Sequence, residues 1–491
     1  MIGGRAIAMG LVGVVLALGA VGVKKYWGRP NVILITIDTL RADHVGAYGH
    51  GKASTPNLDW VAAGGAVFER AYCDVTWTTP SMTSTMLGQF ATRHGLQTTF
   101  QTLDDDKTTL AEMLNADGYA TAAVIGSYPL SKIYNLDQGF ESYDDTFTRP
   151  IAAGDSQPNS AEPAREIPDN PTMEQIQERN AWAFVVSGRR TDAEVSDRAI
   201  ALLSELMDGW RPFFLWVHYF GPHHVPNSKL GYFEDFADHI HTYPRKTAES
   251  DAEVGRLLME LNEKGIAKNT LVIIHSDHGE SLGEHEYVGH GRFLYEDNLR
   301  VPLLVRWPAS IKGGTRSSAI VGNVDIASTI LEATRTTPAP RPFDGLSLLE
   351  ILRSGGPGHS ELILETYGPT LRGFAEHRTA KDGTRVEVGA ARFGVLRGND
   401  KFIRTEHRPL LDGDDPDLAP GELEKLNRRE LYDVKADPGE LTDRSTIAGD
   451  LAVELERSGE AFRADHAGES AARIEADPEH SEKLRSLGYV E

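Results

Sequence analysis

Three short stretches of this 491-residue chain carry side chains suited to breaking an ester bond. The first is Trp77-Thr78-Thr79-Pro80-Ser81, which runs on into Met82-Thr83-Ser84-Thr85-Met86-Leu87-Gly88. The second, Asn31-Val32-Ile33-Leu34-Ile35-Thr36-Ile37-Asp38, is an apolar run that ends in a carboxylate. The third, Ile273-Ile274-His275-Ser276-Asp277-His278, ends in a carboxylate and an imidazole. Apolar runs of this kind read as buried parallel strands that deliver ligands at their C-terminal edges. Pro80 suits the first turn of a helix, which leaves the Thr78 hydroxyl at a helix N-terminus. A hydroxyl held there, between carboxylates able to bind a divalent metal, is a candidate activated nucleophile. Asp38, Asp277 and His278, joined by the Thr78 oxygen, form the candidate ligand set.

Histidines supply the remaining chemistry. His218 closes the apolar run Pro212-Phe213-Phe214-Leu215-Trp216-Val217 and is followed by Tyr219-Phe220-Gly221-Pro222-His223-His224. A histidine at such a strand end can hold ester oxygens or simply complete the strand, and both readings stand for His218. His290, between Gly289 and Gly291, can protonate a leaving group, because imidazole suits acid–base work near neutrality. Glu280 and Glu296 read as supporting residues, and Cys73 as a small buried hydrophobe.

These groups need a sheet to position them. The patterning predicts strands over Asn31–Asp38, Tyr119–Ile125, Pro212–His218, Leu271–Ser276 and Val301–Arg306. It predicts helices over Thr55–Ala63, Pro80–Gly88, Asp104–Ala116, Asp192–Met207, Lys246–Leu261 and Val324–Glu332. That alternation implies an α/β fold with a mainly parallel central sheet and helices on both faces. Thr384–Thr405 alternates apolar and polar residues, with Gly389 and Gly398 as turns, which predicts a small antiparallel sheet. The C-terminal tail reads as helical and acidic. Arg149–Asn180, with Gln157-Pro158-Asn159-Ser160 and Ile167-Pro168-Asp169-Asn170-Pro171, has loop chemistry and reads as a solvated insertion or a lid. The expected plan is an N-terminal segment over 1–29, a catalytic domain over 30–345 with its insertion at 149–180, and a C-terminal subdomain with helical tail over 346–491.

Composition narrows the partners. Fifty Lys and Arg against 72 Asp and Glu give a net charge of -22, a surface that repels nucleic acid. One cysteine permits neither an intrachain disulfide nor a cysteine zinc cluster. Ala6 to Val23 is an unbroken apolar and glycine run between Arg5 and the cluster Lys24, Lys25 and Arg29. It is read as an uncleaved membrane anchor in preference to a cleaved signal. The flanking charges alone would favour a cytoplasmic C-terminal side.

Taken together, these motifs resemble the sulfatase family of the alkaline phosphatase superfamily. The resemblance rests on Asp38, Thr78-Thr79-Pro80-Ser81, Asp277-His278-Gly279 and Gly289-His290-Gly291. Flanking text agrees: Thr36-Ile37-Asp38-Thr39-Leu40-Arg41-Ala42-Asp43, Thr55-Pro56-Asn57-Leu58-Asp59, Leu294-Tyr295-Glu296 and Leu299-Arg300-Val301-Pro302-Leu303. It runs from about Asn31 to Asp344-Gly345, and more weakly to Glu430-Leu431-Tyr432-Asp433. It implies an alkaline-phosphatase-like sheet and a metal-dependent ester hydrolase with metal at Asp38, Thr78, Asp277 and His278. It also implies a catalytic body in the periplasm or outside the cell. His223 aligns with the family's substrate-contacting histidine, so His218, His223 and His290 become the expected substrate-binding set, with Thr78, His223 and His290 catalytic.

The departures from the family pattern matter as much. Thr39 stands where many sulfatases carry a second aspartate, and Gly221 where many relatives have one. Asp277-His278 resembles the pair of phosphodiesterases and phosphoethanolamine transferases, which favours zinc or manganese, with calcium as the alternative. His290 stands where sulfatases usually have lysine. Formylglycine sulfatases need Cys or Ser, then Pro and Arg, whereas this turn reads Thr78, Pro80 and Met82. No formylglycine is therefore expected. Attack by Thr78 on a phosphate ester, leaving a phosphothreonine, is preferred to sulfate-ester cleavage. The expected substrate is a small-molecule, glycan or lipid-head-group ester. The rival readings are a phosphoethanolamine or phosphoglycerol transferase acting on envelope sugars, and a non-catalytic binding module.

Overall fold

The computed structural model describes residues 28–98, 101–147, 189–224, 232–367, 376–379, 385–408 and 427–466. The N-terminal apolar run, the 149–180 insertion and the end of the C-terminal tail lie outside them. No described helix is long and apolar enough to cross a membrane.

Among the described residues, ten strands precede residue 323. They are β1 (Asn31–Ile37), β2 (Ala66–Tyr72), β3 (Ala120–Ile125), β4 (Ser142–Asp144), β5 (Phe213–Tyr219), β6 (Thr270–His275), β7 (Ser281–Leu282), β8 (Val288–Gly289), β9 (Leu303–Arg306) and β10 (Thr315–Gly322). β7 and β8 form a short ribbon, and the other eight form one sheet in the order β10-β2-β9-β6-β1-β5-β3-β4. All neighbours run parallel except β9, which is antiparallel to both β2 and β6. Alternate residues of the central strands feed two separate cores. Val32, Leu34, Phe214, Trp216, Leu271 and Ile273 pack with Met82, Met86 and Leu87 of helix Thr78–Leu87. Ile33, Ile35, Ile37, Leu215, Val217, Val272 and Ile274 pack on the other face with Val254, Leu257 and Leu258 of helix Tyr232–Glu263. Each such side chain contributes about 1.5–3 kcal/mol when fully buried, so the middle of the sheet is a rigid base.

A second sheet follows. Strands Leu362–Tyr367, Arg385–Arg397, Asp400–Arg408 and Arg428–Asp433 pair antiparallel in that order, with Glu376–Thr379 beside Arg385–Arg397. Buried Lys401 joins it to the first unit through an ion pair with Glu296 (3.0 Å), and also pairs with Glu440 (2.7 Å), which follows the last strand of the second sheet.

Several expectations need correction. Asp104–Ala116 is helical only over Leu110–Ala116, because Thr109 caps it in a reciprocal pair with Glu112 and ends the preceding turn. Helix Thr78–Leu87 begins at Thr78 itself, two residues before Pro80. The Lys246–Leu261 helix starts much earlier, at Tyr232, and runs through Pro244. Gly389 is not a turn, since Arg385–Arg397 passes straight through it, whereas Gly398 is one, with φ +59°. The Val301–Arg306 strand shrinks to β9.

Candidate active site

The parallel strands bring their carboxylates to one edge. Asp38 follows β1 directly and Asp277 lies two residues past β6. β5 pairs with β1 so that His218 stands opposite Thr36. Strand alternation then puts His218 on the face of Trp216, toward helix Thr78–Leu87. Ser81 ties that helix down by donating to the Asp277 carbonyl at 2.7 Å. Asn323 donates to the same carbonyl at 3.2 Å and to that of Ser276 at 3.0 Å. Ser81 belongs to the motif that carries the resemblance, but no pattern assigns a role to it or to Asn323, because each acts on backbone rather than on a reacting group.

The centre is fully buried. Asp38, His218 and Asp277 each offer one ligand atom, all within 4.8 Å of one another. Asp277 Oδ1 accepts from the backbone N–H of Thr39 (3.2 Å) and of His278 (2.9 Å). Among the described residues, Asp277 Oδ2, Asp38 Oδ1 and both His218 ring nitrogens have no hydrogen-bond partner. His278 Nε2 lies 3.5 Å from Asp277 Oδ2 and 3.9 Å from Asp38 Oδ1. Thr78 Oγ1 is 3.2 Å from the same nitrogen. Thr39, where the sequence lacks a second aspartate, adopts φ +59° and buries a hydroxyl with no partner.

Electrostatics favour a cation here. Burial, then the charge of Asp277, pushes Asp38 well above the usual carboxylate range, a crowding that a divalent ion relieves. Burial draws His218 down to about 4 and lowers His278, against the pull of Asp277 in both cases. Neutral imidazoles are the ligating form. His278 Nδ1 donates to the Gly279 carbonyl at 3.0 Å, leaving Nε2 as the free lone pair. Two carboxylates, two neutral imidazoles and orphaned acceptors in one buried cluster fit a divalent metal. The structure thus groups His218, read from the sequence as substrate-binding, with the metal-type residues.

The other sequence-derived residues gather beside this centre. His290 packs 4.4 Å from His278, 5.0 Å from His223 and 5.5 Å from Trp77, ring centre to ring centre. Its Nδ1 contacts Glu280 Oε1 at 3.1 Å. The second Glu280 oxygen lies 3.6 Å from Nε2 of buried His239. Burial alone would raise Glu280, but the two histidines hold it well below the usual range. Gly291 (φ +80°) admits Trp77, since a Cβ there would sit 2.0 Å from the indole. His223 donates through Nδ1 to the His224 carbonyl at 2.7 Å and stacks on Phe220 at 4.5 Å, and burial lowers it well below the usual imidazole range. His285 instead stacks on Tyr295 at 3.7 Å. No sequence pattern marks His239, because Pro244 interrupts the helical signal of the stretch that carries it.

Comparison with known proteins agrees with this architecture. The Sulfatase family model matches residues 30–336. An N-acetylglucosamine-6-O-sulfatase of Bacteroides thetaiotaomicron is 24% identical over 84% of this chain and 82% of its own. Human arylsulfatase A is 27% identical over 72% of this chain and 74% of its own. The crystal structure of the phosphonate monoester hydrolase of Agrobacterium radiobacter superposes with a TM-score of 0.62 at 20% identity, covering 89% of this chain and 96% of that one. With its motif residues gathered on one sheet edge and more than half its length matched, the chain belongs to the sulfatase family and is a sulfatase-type hydrolase.

Proposed function

We propose that this hydrolase cleaves a phosphate ester in preference to a sulfate ester, with the Thr78 hydroxyl as nucleophile. One observation carries the reading: Thr78 Oγ1, at the start of a buried helix, lies 3.2 Å from the free nitrogen of His278 beside the Asp38–His218–Asp277 cluster. Asp38, Asp277, His278 and His218 would hold the divalent ion, with zinc or manganese favoured by the mixed carboxylate and imidazole set. Such an ion supplies Lewis-acid polarisation of the ester and lowers the proton affinity of a nearby hydroxyl. The helix N-terminus offers N–H dipoles to the anionic group under attack. The Thr78 hydroxyl gives up its proton to solvent, its oxygen attacks phosphorus as the ester O–P bond breaks, and water then cleaves the phosphothreonine to free phosphate and restore Thr78. His290, oriented by Glu280, donates a proton to the departing oxygen, and His223 binds a non-bridging oxygen.

Threonine at residue 78 and methionine at 82 support phosphorus over sulfur, since neither serves a formylglycine mechanism. The relatives named above point to sulfate esters of sugars or aryl groups, and one fold neighbour is a phosphonate hydrolase, so a glycan or small-molecule ester suits the site. The apolar run Ala6–Val23 supports a membrane anchor, and family membership, against the flanking charges, supports a catalytic body outside the cytoplasm. The test compares 4-nitrophenyl phosphate, bis(4-nitrophenyl) phosphate and 4-nitrophenyl sulfate, each with zinc, manganese and calcium in turn. Phosphoester turnover above sulfate turnover is expected. Sulfate turnover alone, with unmodified Thr78, would overturn the preference.

A further inference from the structure

Two cations stand beside the site, neither of them in a salt bridge among the described residues, although the charges of Asp192, Glu280 and Asp238 act on them from farther off. The Arg189 guanidinium lies over the Phe220 ring, 5.4 Å from its centre, and Phe220 stacks on His223. Lys246, from helix Tyr232–Glu263, donates to the His223 backbone carbonyl at 3.2 Å. Both side chains are half-buried, and neither forms an ion pair among the described residues. The nearby carboxylates are engaged elsewhere. Asp192 accepts from Ser250 Oγ at 2.6 Å and from the Gly221 N–H at 3.2 Å, and Glu280 contacts His290 and His239.

Such a pair is unfavourable by itself. Burial, and then the charge of Arg189, lowers Lys246 to about 8, and burial lowers Arg189 to about 10. Two partly desolvated like charges repel, and the surrounding carboxylates do not outweigh their burial, so an anion that joins them offsets a remaining cost. A lysine point charge and a planar arginine fork together match an oxyanion. On a chain of net charge -22, a local positive patch next to the reacting groups raises the local concentration of an anionic ligand. Lys246 contacts the backbone of His223 and Arg189 its stacking partner Phe220, and the His223 ring in turn packs 5.0 Å from His290.

We propose that Arg189 and Lys246 form an anion subsite for a second acidic group, a carboxylate, sulfate or phosphate, carried on the non-reacting part of the substrate. This assignment rests on the ester-hydrolase reading above. The substrate class then narrows to esters bearing two anionic groups.

Binding of phenylphosphonate and of its 2-, 3- and 4-carboxy derivatives to the full-length metal-loaded protein tests this without turnover, by calorimetry. At least one carboxy isomer is expected to bind roughly tenfold or more tightly than phenylphosphonate itself, the scale of one added charge-assisted hydrogen bond. That advantage should shrink to near one in Arg189→Gln/Lys246→Met. Binding of phenylphosphonate with no gain for any isomer would overturn the subsite and leave the hydrolase reading intact. Parallel weakening of all ligands in the variant, with the advantage kept, would assign the cations to the reacting group and overturn it too. Failure of phenylphosphonate to bind at all would remove both readings.

Discussion

Thr78 Oγ1 lies 3.2 Å from His278 Nε2, and His278 is fixed from behind by its Nδ1 bond to the Gly279 carbonyl. Gly279 is held in turn by its N–H bond to the Asn298 carbonyl at 2.7 Å, and a Cβ at Gly279 would collide with the Asp297 carbonyl. The nucleophile candidate is therefore positioned by a chain of backbone contacts from the short helix Glu296–Leu299 rather than by another titratable side chain.

Removing a ligand candidate should release the ion. Asp38→Asn and His218→Ala should each weaken zinc or manganese binding by at least the roughly 10–100-fold that outer-shell partners typically cost. Metal content per chain after gel filtration measures this. Unchanged metal content in His218→Ala would place His218 outside the ligand set and return it to a strand-completing role.

The Glu280–His290 contact of 3.1 Å should matter for rate more than for binding. Glu280→Gln keeps the shape but loses the charge that orients and polarises the imidazole. A roughly tenfold fall in kcat with a smaller change in KM is expected. A change confined to KM would show that His290 binds substrate without moving a proton.

Much of this site was legible from the sequence, for a physical reason. Asp38 and Asp277 each end an apolar run, and a parallel sheet can only bring such ends to one edge. β2 and β10 were missed because Glu69-Arg70 and Thr315-Arg316 put polar, part-exposed residues inside them. The grouping of His218 with the two carboxylates depends on strand order and on the Thr36–His218 register, which no local pattern encodes. Glu280 meets His239 only through tertiary packing. The cation pair Arg189 and Lys246 comes from separate elements and has no sequence signature at all.

Asp74 should leave a mark on stability against pH. It is buried behind the nucleophile helix, its Oδ2 accepts from Ser84 Oγ at 2.6 Å, and burial lifts its carboxyl to about 7 against that bond. The unfolded carboxyl titrates near ~3.9. The folded state thus keeps a proton that the unfolded state has lost. The stabilising contribution is full below the unfolded value and disappears as pH rises to about 7. Asp74→Asn should therefore gain Tm relative to the parent between pH 5 and pH 8 and show no gain at pH 4. A pH-independent difference would contradict this.

Lys401 holds the two sheets together at a cost in desolvation. It is fully buried between Glu296 and Glu440. Lys401→Met should destabilise the protein by roughly 3–5 kcal/mol, because it strands buried Glu440 and part-buried Glu296. The added change Glu440→Gln should restore part of that loss. Denaturant unfolding measures both, and a double variant no more stable than the single one would show that packing, not charge, sets the effect.

The most direct test of the central claim is to quench a phosphoester reaction with acid and weigh the intact protein, then map any adduct by peptide fragmentation. The account predicts one phosphoryl group on Thr78, absent from Thr78→Ala, whose turnover should fall by roughly 10³-fold or more. Full turnover in Thr78→Ala, or an adduct on another residue, would contradict it.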